Sequence, residues 1–275
     1  MLVSNPREYL RFAYTERFAM PAFNVCNLEM TQAVIEAATL ENAPVIVQTY
    51  PGDIKHGGLK PLSGLIKTLA ARTHVPVFLH LDHGPGFDYN LRCLHEGYSS
   101  CMFDSFELSI HDALTETAVI ARAAHALGAA VEGELGSFGG GAEGQGDELH
   151  FTDPAQVPLM FEQGHVDMLA VSVGSEHGKP SRLNLALLEE IHGRAQAPLV
   201  LHGGSGIFED DVRAACKLGV VKINIGAAIH RAWNEGARQG LEAGENHYGV
   251  LRSSLEHVRE VARNRLRLMG ASGRA

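Results

Sequence analysis

Apolar, β-branched runs recur along the chain at residues 19–25, 43–50, 75–81, 100–104, 129–135, 168–174, 198–201 and 220–225. Between them the apolar residues return every three or four positions instead, as in LEMTQAVIEAATLENA (28–43) and IHDALTETAVIARAAHALGA (110–129). The first pattern predicts strands buried on both faces, and the second predicts amphipathic helices lying on a sheet. Eight such alternations force a parallel sheet, because each return to the next strand crosses over through a helix. A closed (β/α)8 TIM barrel of the α/β class accommodates eight continuous apolar strands. The competing open, doubly wound sheet would carry a dinucleotide fingerprint after an early strand, and Phe23-Asn24-Val25-Cys26-Asn27 contains no glycine. Beyond the eighth run, residues 227–242 and 253–269 predict extra C-terminal helices that close the barrel or reach a neighbouring subunit.

With 275 residues, 45% of them hydrophobic, the chain is large enough for one barrel domain spanning residues 1–275. The formal charge of -9 is spread without a basic block, which argues against a nucleic-acid partner. No run of eighteen apolar residues occurs, and the opening MLVSNPREYLRF lacks the apolar core of a secretory signal, so a cytoplasmic protein without membrane association is expected. Cys26, Cys93, Cys101 and Cys216 form no CxxC pair and read as reduced thiols.

Reactive side chains gather where strands hand over to loops: LHLDHG (79–84), EGELGSFGGG (132–141), SVGSEHG (172–178) and LHGGSG (201–206). A catalytic zinc site uses three protein ligands and leaves a position open for substrate. His83, His177 and His202 each stand at or just beyond a strand end beside a glycine, so barrel closure would bring them round one mouth. A lone histidine is more often a surface or core residue, and His56, His74, His95, His111, His125, His192 and His257, in helix or loop patterns, fit that role. Asp82 shares strand parity with His80 and should point into the mouth, as an acid/base or as an orienter of a ligand histidine. Glu134 and Asp104 end the fifth and fourth runs, where either could hold a second cation or fix a histidine. The glycine-rich stretch 136–153 is long for a strand-to-helix loop and reads as a lid.

At these residues the chain resembles the class II, zinc-dependent fructose-bisphosphate and tagatose-bisphosphate aldolases, from Pro21 to the C-terminus. PAFNVCNLEMTQAVIEAA is similar to the family's first strand and helix, LHLDHG to its acid/base and metal segment, and MFDS to its fourth strand. EGELGSFGG, the HG of SVGSEHG, LHGGSGI, KIN and RLMGASGRA follow in the family's order. The resemblance implies zinc held by His83, His177 and His202, with Glu134 and Asp104 near a second cation. It implies that Asp82 moves the proton of the substrate's C4 hydroxyl, that a lid acid, Glu143 or Glu148, moves one at C3, and that Asn24 and Asn224 contact substrate. Gly178, Gly203, Gly204 and Ser205 would grip a phosphate. The implied reaction is reversible aldol cleavage of a ketose or ketose phosphate to an aldehyde and a dihydroxyacetone-type ketone through a zinc-stabilised enediolate, in a homodimer or homotetramer. Lys222 then needs no Schiff-base role.

Several phosphate positions depart from the family pattern. Gly226-Ala227 supplies no hydroxyl after Asn224, HGKPSRLNL lacks a Tyr-Lys, Tyr50 stands where the family has Ser or Thr, and His247-Tyr248-Gly249 replaces a Pro-Arg-Lys. Lys179, Arg182 or Arg252 could restore charge. The expectation is an aldolase for a ketose with one phosphate or none, the alternative being a 1,6-bisphosphate aldolase with rerouted contacts. A zinc hydrolase would ordinarily close its first strand with His-x-His, which PAFNVCN lacks. A non-catalytic relative would not need Asp82, the three histidines and Asn224 together.

Overall fold

The structure, a computed structural model, describes residues 1–138 and 149–275. The barrel strands are β1 (Met20–Asn24), β2 (Val45–Thr49), β3 (Val77–Gly84), β4 (Ser100–Phe103) and β5 (Ala130–Leu135). A two-residue antiparallel pair, β6 (Ser137–Phe138) and β7 (Leu149–His150), interrupts them before β8 (Met168–Val171), β9 (Leu199–Leu201) and β10 (Val220–Ile225) complete the set. The parallel barrel closes in the order β1-β10-β9-β8-β5-β4-β3-β2. Every residue of its strands is buried, as the continuous apolar runs predict. Closure pairs Met20 with Lys222 and Ala22 with Asn224, joining the two ends of the chain's strand order.

Local chemistry places the helices between strands. Asn27 starts the helix Leu28–Leu40 by accepting the Met30 N–H at 2.9 Å, and Ser109 starts Ile110–Ala126 by accepting the Asp112 N–H at 3.2 Å. Such caps are worth about 1 kcal/mol each. Two expected boundaries move. β3 runs on to Gly84, so the whole LDHG segment belongs to the strand, while β8 ends at Val171. The expected irregular stretch 136–153 contains the β6–β7 pair, and Glu143 and Glu148, the two candidate lid acids, lie outside the described residues.

Beyond β10 the helix Ala227–Glu242 occupies the expected span, whereas the last helix, His247–Leu268, begins six residues earlier than its apolar period suggested. Asn246 is the reason: its side chain accepts the Gly249 N–H at 3.0 Å and nucleates the first turn. The two helices pack closely because Gly236 and Gly240 face the second one. A Cβ at Gly236 would lie 2.6 Å from the Ser253 carbonyl oxygen, and one at Gly240 2.9 Å from Val250 Cα. No helix among the described residues is long and apolar enough to cross a membrane.

The last helix is also tied to the first β/α unit by one carboxylate. Glu41 accepts from Arg263 Nε at 2.9 Å, Arg267 Nη2 at 2.6 Å, Arg267 Nε at 2.9 Å and Ser272 Oγ at 3.1 Å. The Arg267 hydrogen bond, opposed by partial burial and reinforced by Arg263 and Ser272, holds the Glu41 carboxyl below its ordinary value. Its stabilisation is therefore present above the unfolded carboxylate range and is lost as pH falls through the lower folded value. Glu41→Gln is expected to lower Tm at pH 7 by roughly 2–6 °C. The gap to the parent protein should narrow in scans below the ordinary carboxylate range; a gap constant from pH 7 to pH 3 would contradict this account.

Candidate active site

The site is organised by an irregularity in β3. Strand alternation sends His80 and Asp82 to the inner face and would send His83 outward. Instead His83 adopts φ +52°, and the pairing of β3 with β4 slips between Leu81 and Gly84. A positive φ is uncommon outside glycine. It breaks the alternation, so that Asp82 and His83 stand side by side, His83 Nε2 being 4.0 Å from Asp82 Oδ1. Gly84 completes the turn: a Cβ there would lie 2.5 Å from the Asn90 amide and 2.7 Å from the Met102 carbonyl oxygen.

His83, His177 and His202 then meet. Their ring centroids are 4.9 Å (His83–His202) and 6.3 Å (both pairs with His177) apart, and one nitrogen from each lies within 4.8 Å of the others. Burial, with the nearby His83 imidazole, lowers His177 to about 4 despite the opposing Asp82 charge, and burial lowers His202 well below its ordinary value. Neutral imidazole is the form that ligates a cation. Carboxylates hold the far side of two rings: Asp104 Oδ2 is 3.3 Å from His83 Nδ1, and Glu132 Oε1 is 2.9 Å from His202 Nε2. A ring that gives one N–H to a carboxylate keeps its lone pair on the other nitrogen, as metal-binding histidines commonly do. Three imidazoles converging in this way fit a divalent ion such as zinc. His83, Asp104 and Glu134 form a second group with the same spacing.

Asp82 sits beside this group, almost fully buried. Its Oδ1 accepts from Asn224 Nδ2 at 2.9 Å, and its Oδ2 accepts from Asn24 Nδ2 at 2.9 Å and Gln48 Nε2 at 3.0 Å. Burial pushes the carboxyl up, but His83 foremost, with the Lys222 ammonium and the Asn24 hydrogen bond, outweighs it and holds the group at about 2. Lys222, fully buried on β10, donates to Asn224 Oδ1 at 2.6 Å and pairs with Glu132 Oε2 at 2.9 Å. A cavity of about 370 Å³ opens above these groups, lined by Asp82, His177 and Asn224, by Gly178, Gly203, Ser205, Gly226 and Ala227, and by Asn24, Tyr50 and His230.

The family profile described as "Fructose-bisphosphate aldolase class-II" matches residues 4–274. The chain belongs to the class II aldolase family. It is an aldehyde-lyase, and metal dependence is general in this family. The chain is 33% identical to the fructose-bisphosphate aldolase of Thermus caldophilus over 302 residues, covering 98% of both chains. It is 32% identical to that of Streptococcus pyogenes serotype M1 over 295 residues, covering all of both. Among solved structures, the YdjI aldolase of Escherichia coli K12 superposes with a TM-score of 0.91 at 29% identity over the whole of both chains. The fructose-bisphosphate aldolase of Campylobacter jejuni does so with 0.85 at 26%, covering 98% of this chain and 96% of that one.

Within this aldolase, His83, His177, His202, Asp104, Glu134, Asp82, Asn24 and Asn224 come together at one mouth of the barrel. Three expected phosphate contacts do not. Gly204 gives its N–H to the Asn224 carbonyl at 3.0 Å and packs on Ile223, so it holds β9 to β10 and does not line the cavity. Lys179 Nζ sits 2.7 Å from Glu176, and Arg182 reaches Asp210 at 2.7 Å and Asp211 at 3.2 Å with its guanidinium 4.0 Å over the Phe208 ring. Acidic neighbours have captured both cations outside the cavity. Sequence reasoning missed Glu132, Gln48 and His230 and left Lys222 as structural. The available signal was parity, since Glu132 with Glu134, and Lys222 with Asn224, are polar pairs two apart inside otherwise apolar strands.

Gly84→Ala should overpack β3 against Asn90 and β4, costing roughly 1–3 kcal/mol. Gly86→Ala, where a Cβ meets nothing within 4 Å, is the control and should leave unfolding nearly unchanged. Thermal scans of both variants check this, and equal effects would mean that the β3 turn is not sterically restricted to glycine.

Proposed function

We propose that the protein is a zinc-dependent aldolase acting on a ketose that carries one phosphate, releasing an aldehyde and a dihydroxyacetone phosphate-type ketone. The supporting observation is that, among the described residues lining the cavity, none is lysine or arginine. The intervening segment 139–148, GGGAEGQGDE, adds no basic residue. A single phosphate can be held by N–H groups and hydroxyl at Gly178, Gly203, Ser205, Gly226 and Ala227, at the start of the helix Ala227–Glu242. Ser205 Oγ accepts the Ala228 N–H at 3.0 Å, which leaves its own proton for the phosphate. A second phosphate at the Tyr50 end would lack a cationic partner. The names of the relatives favour the alternative, a 1,6-bisphosphate substrate.

In this reading His83, His177 and His202 hold a zinc ion, which when bound supplies Lewis acidity toward the substrate carbonyl. Asp82 takes the C4 hydroxyl proton as the C3–C4 bond breaks. Its Oδ1, with one acceptor position beyond the Asn224 bond, is the oxygen suited to this, while Oδ2 is occupied by two amides. Asn24, Gln48 and Asn224 fix the carboxylate in place, and Asn224 also lies where it can contact the substrate. Asp104 and Glu134 steady His83 or share a second cation with it. By analogy with the family we place the enzyme in the cytoplasm as a homodimer or homotetramer.

Purified zinc-loaded enzyme tests the substrate class: kcat/KM for a ketose 1-phosphate should exceed that for fructose and tagatose 1,6-bisphosphate by roughly tenfold or more, the loss of one charge-assisted contact being worth about that much. The reverse order would establish the bisphosphate alternative. A chelator should abolish cleavage and added zinc restore it. Asp82→Asn should keep zinc near the parent content while kcat falls roughly 10²- to 10⁴-fold; undiminished kcat would mean that another group carries the proton.

A further inference from the structure

We propose that Lys222 is a positioning residue that sets two reacting parts of the site at once: the amide face that Asn224 turns to Asp82, and the ring nitrogen that His202 turns to the metal. The inference rests on the roles given above to Asp82 and His202. Lys222 is fully buried and does not line the cavity, so it is placed to act through its neighbours and not on substrate.

The first link is the amide of Asn224. Its oxygen accepts from Lys222 Nζ at 2.6 Å and its nitrogen donates to Asp82 Oδ1 at 2.9 Å. Rotating the amide by half a turn would set its NH2 against an ammonium and its oxygen against a carboxylate, two repulsive contacts in place of two attractive ones. With a neutral side chain at 222 the first repulsion disappears, and only Asp82 orients the amide.

The second link runs through Glu132. One carboxylate oxygen pairs with Lys222 at 2.9 Å, and the other stands 2.9 Å from His202 Nε2. A carboxylate can only accept, so His202 must place its proton on Nε2, leaving Nδ1 as the lone-pair nitrogen. Neutral His80 completes the surroundings, with Nε2 3.5 Å from the same Glu132 oxygen that pairs with Lys222 and Nδ1 2.8 Å from Ser100 Oγ. Glu132 thus belongs to the same device: Lys222 compensates its buried charge, and Glu132 fixes the tautomer.

A bland buried ion pair would make a different prediction, and paired substitutions separate the two. Removing one partner of a buried pair is strongly destabilising, whereas replacing both with uncharged residues of similar size is often neutral. Lys222→Met should therefore lose stability, and the double variant Lys222→Met, Glu132→Gln should regain most of it. On the positioning account the double variant still has a free Asn224 amide and, at 132, a side chain able to donate as well as accept. Its kcat should remain roughly 10- to 100-fold low with KM little changed. The 15N spectrum of the zinc-loaded protein, with its histidines labelled, should show the His202 ring nitrogens shifted from their parent tautomer pattern.

Recovery of kcat in the double variant to the parent level, or an unchanged His202 tautomer, would overturn the proposal. If Lys222→Met does not fold, the double variant carries the same test. Asp82→Asn and His202→Ala are run beside it: if either keeps parental cleavage, the reading of the site itself fails, and if both lose it while the double variant does not, only the positioning role fails.

Discussion

Charge removed from water must be paired, and that constraint organises the mouth of this barrel. Asp82, Glu132 and Lys222 have almost no exposed surface. An unpaired ion in such a place would be destabilised by several kcal/mol even after relaxation. The chain meets the demand with three amide donors on Asp82, which add no charge, and with one ammonium and one imidazole on Glu132. Buried carboxylates, Glu134 among them, outnumber the single ammonium, beside three imidazoles. A buried pocket of that composition favours a divalent cation electrostatically as well as by donor type.

Much of this was legible in the sequence because the barrel strands are buried on both faces. Continuous apolar runs separated by helical periods leave few topologies, and the runs were located to within a few residues. The four segments with His, Asp, Glu and Gly were recognisable because a charged residue closing an apolar run is conspicuous. The backbone turn at His83 was not legible. Parity alone would have separated Asp82 from His83, and only the slip in β3 pairing reconciles them.

The less legible parts involve partners far apart in the chain. Glu132 lay inside a segment already singled out, yet its role depends on Lys222, on β10, and His202, just beyond β9, which barrel closure brings near it. Gln48 reads as an ordinary polar residue in β2 until β1 and β3 flank it with Asn24 and Asp82. Lys179 and Arg182 failed for the converse reason. Position next to the histidine-glycine pair suggested availability, but Glu176 lies three residues before Lys179, and Asp210 and Asp211 open a helix that the fold brings to Arg182. Which cations stay available is a tertiary property.

The left-handed backbone at His83 also limits what could replace that residue in the proposed zinc site. Asparagine and aspartate tolerate this conformation best among residues with a side chain, and β-branched residues tolerate it worst. Any change of donor at this point is thereby channelled toward oxygen. A carboxylate here would harden the ligand set, and its preference would move from zinc toward manganese or magnesium. One torsion angle thus constrains which metal chemistries this scaffold can reach by single substitutions.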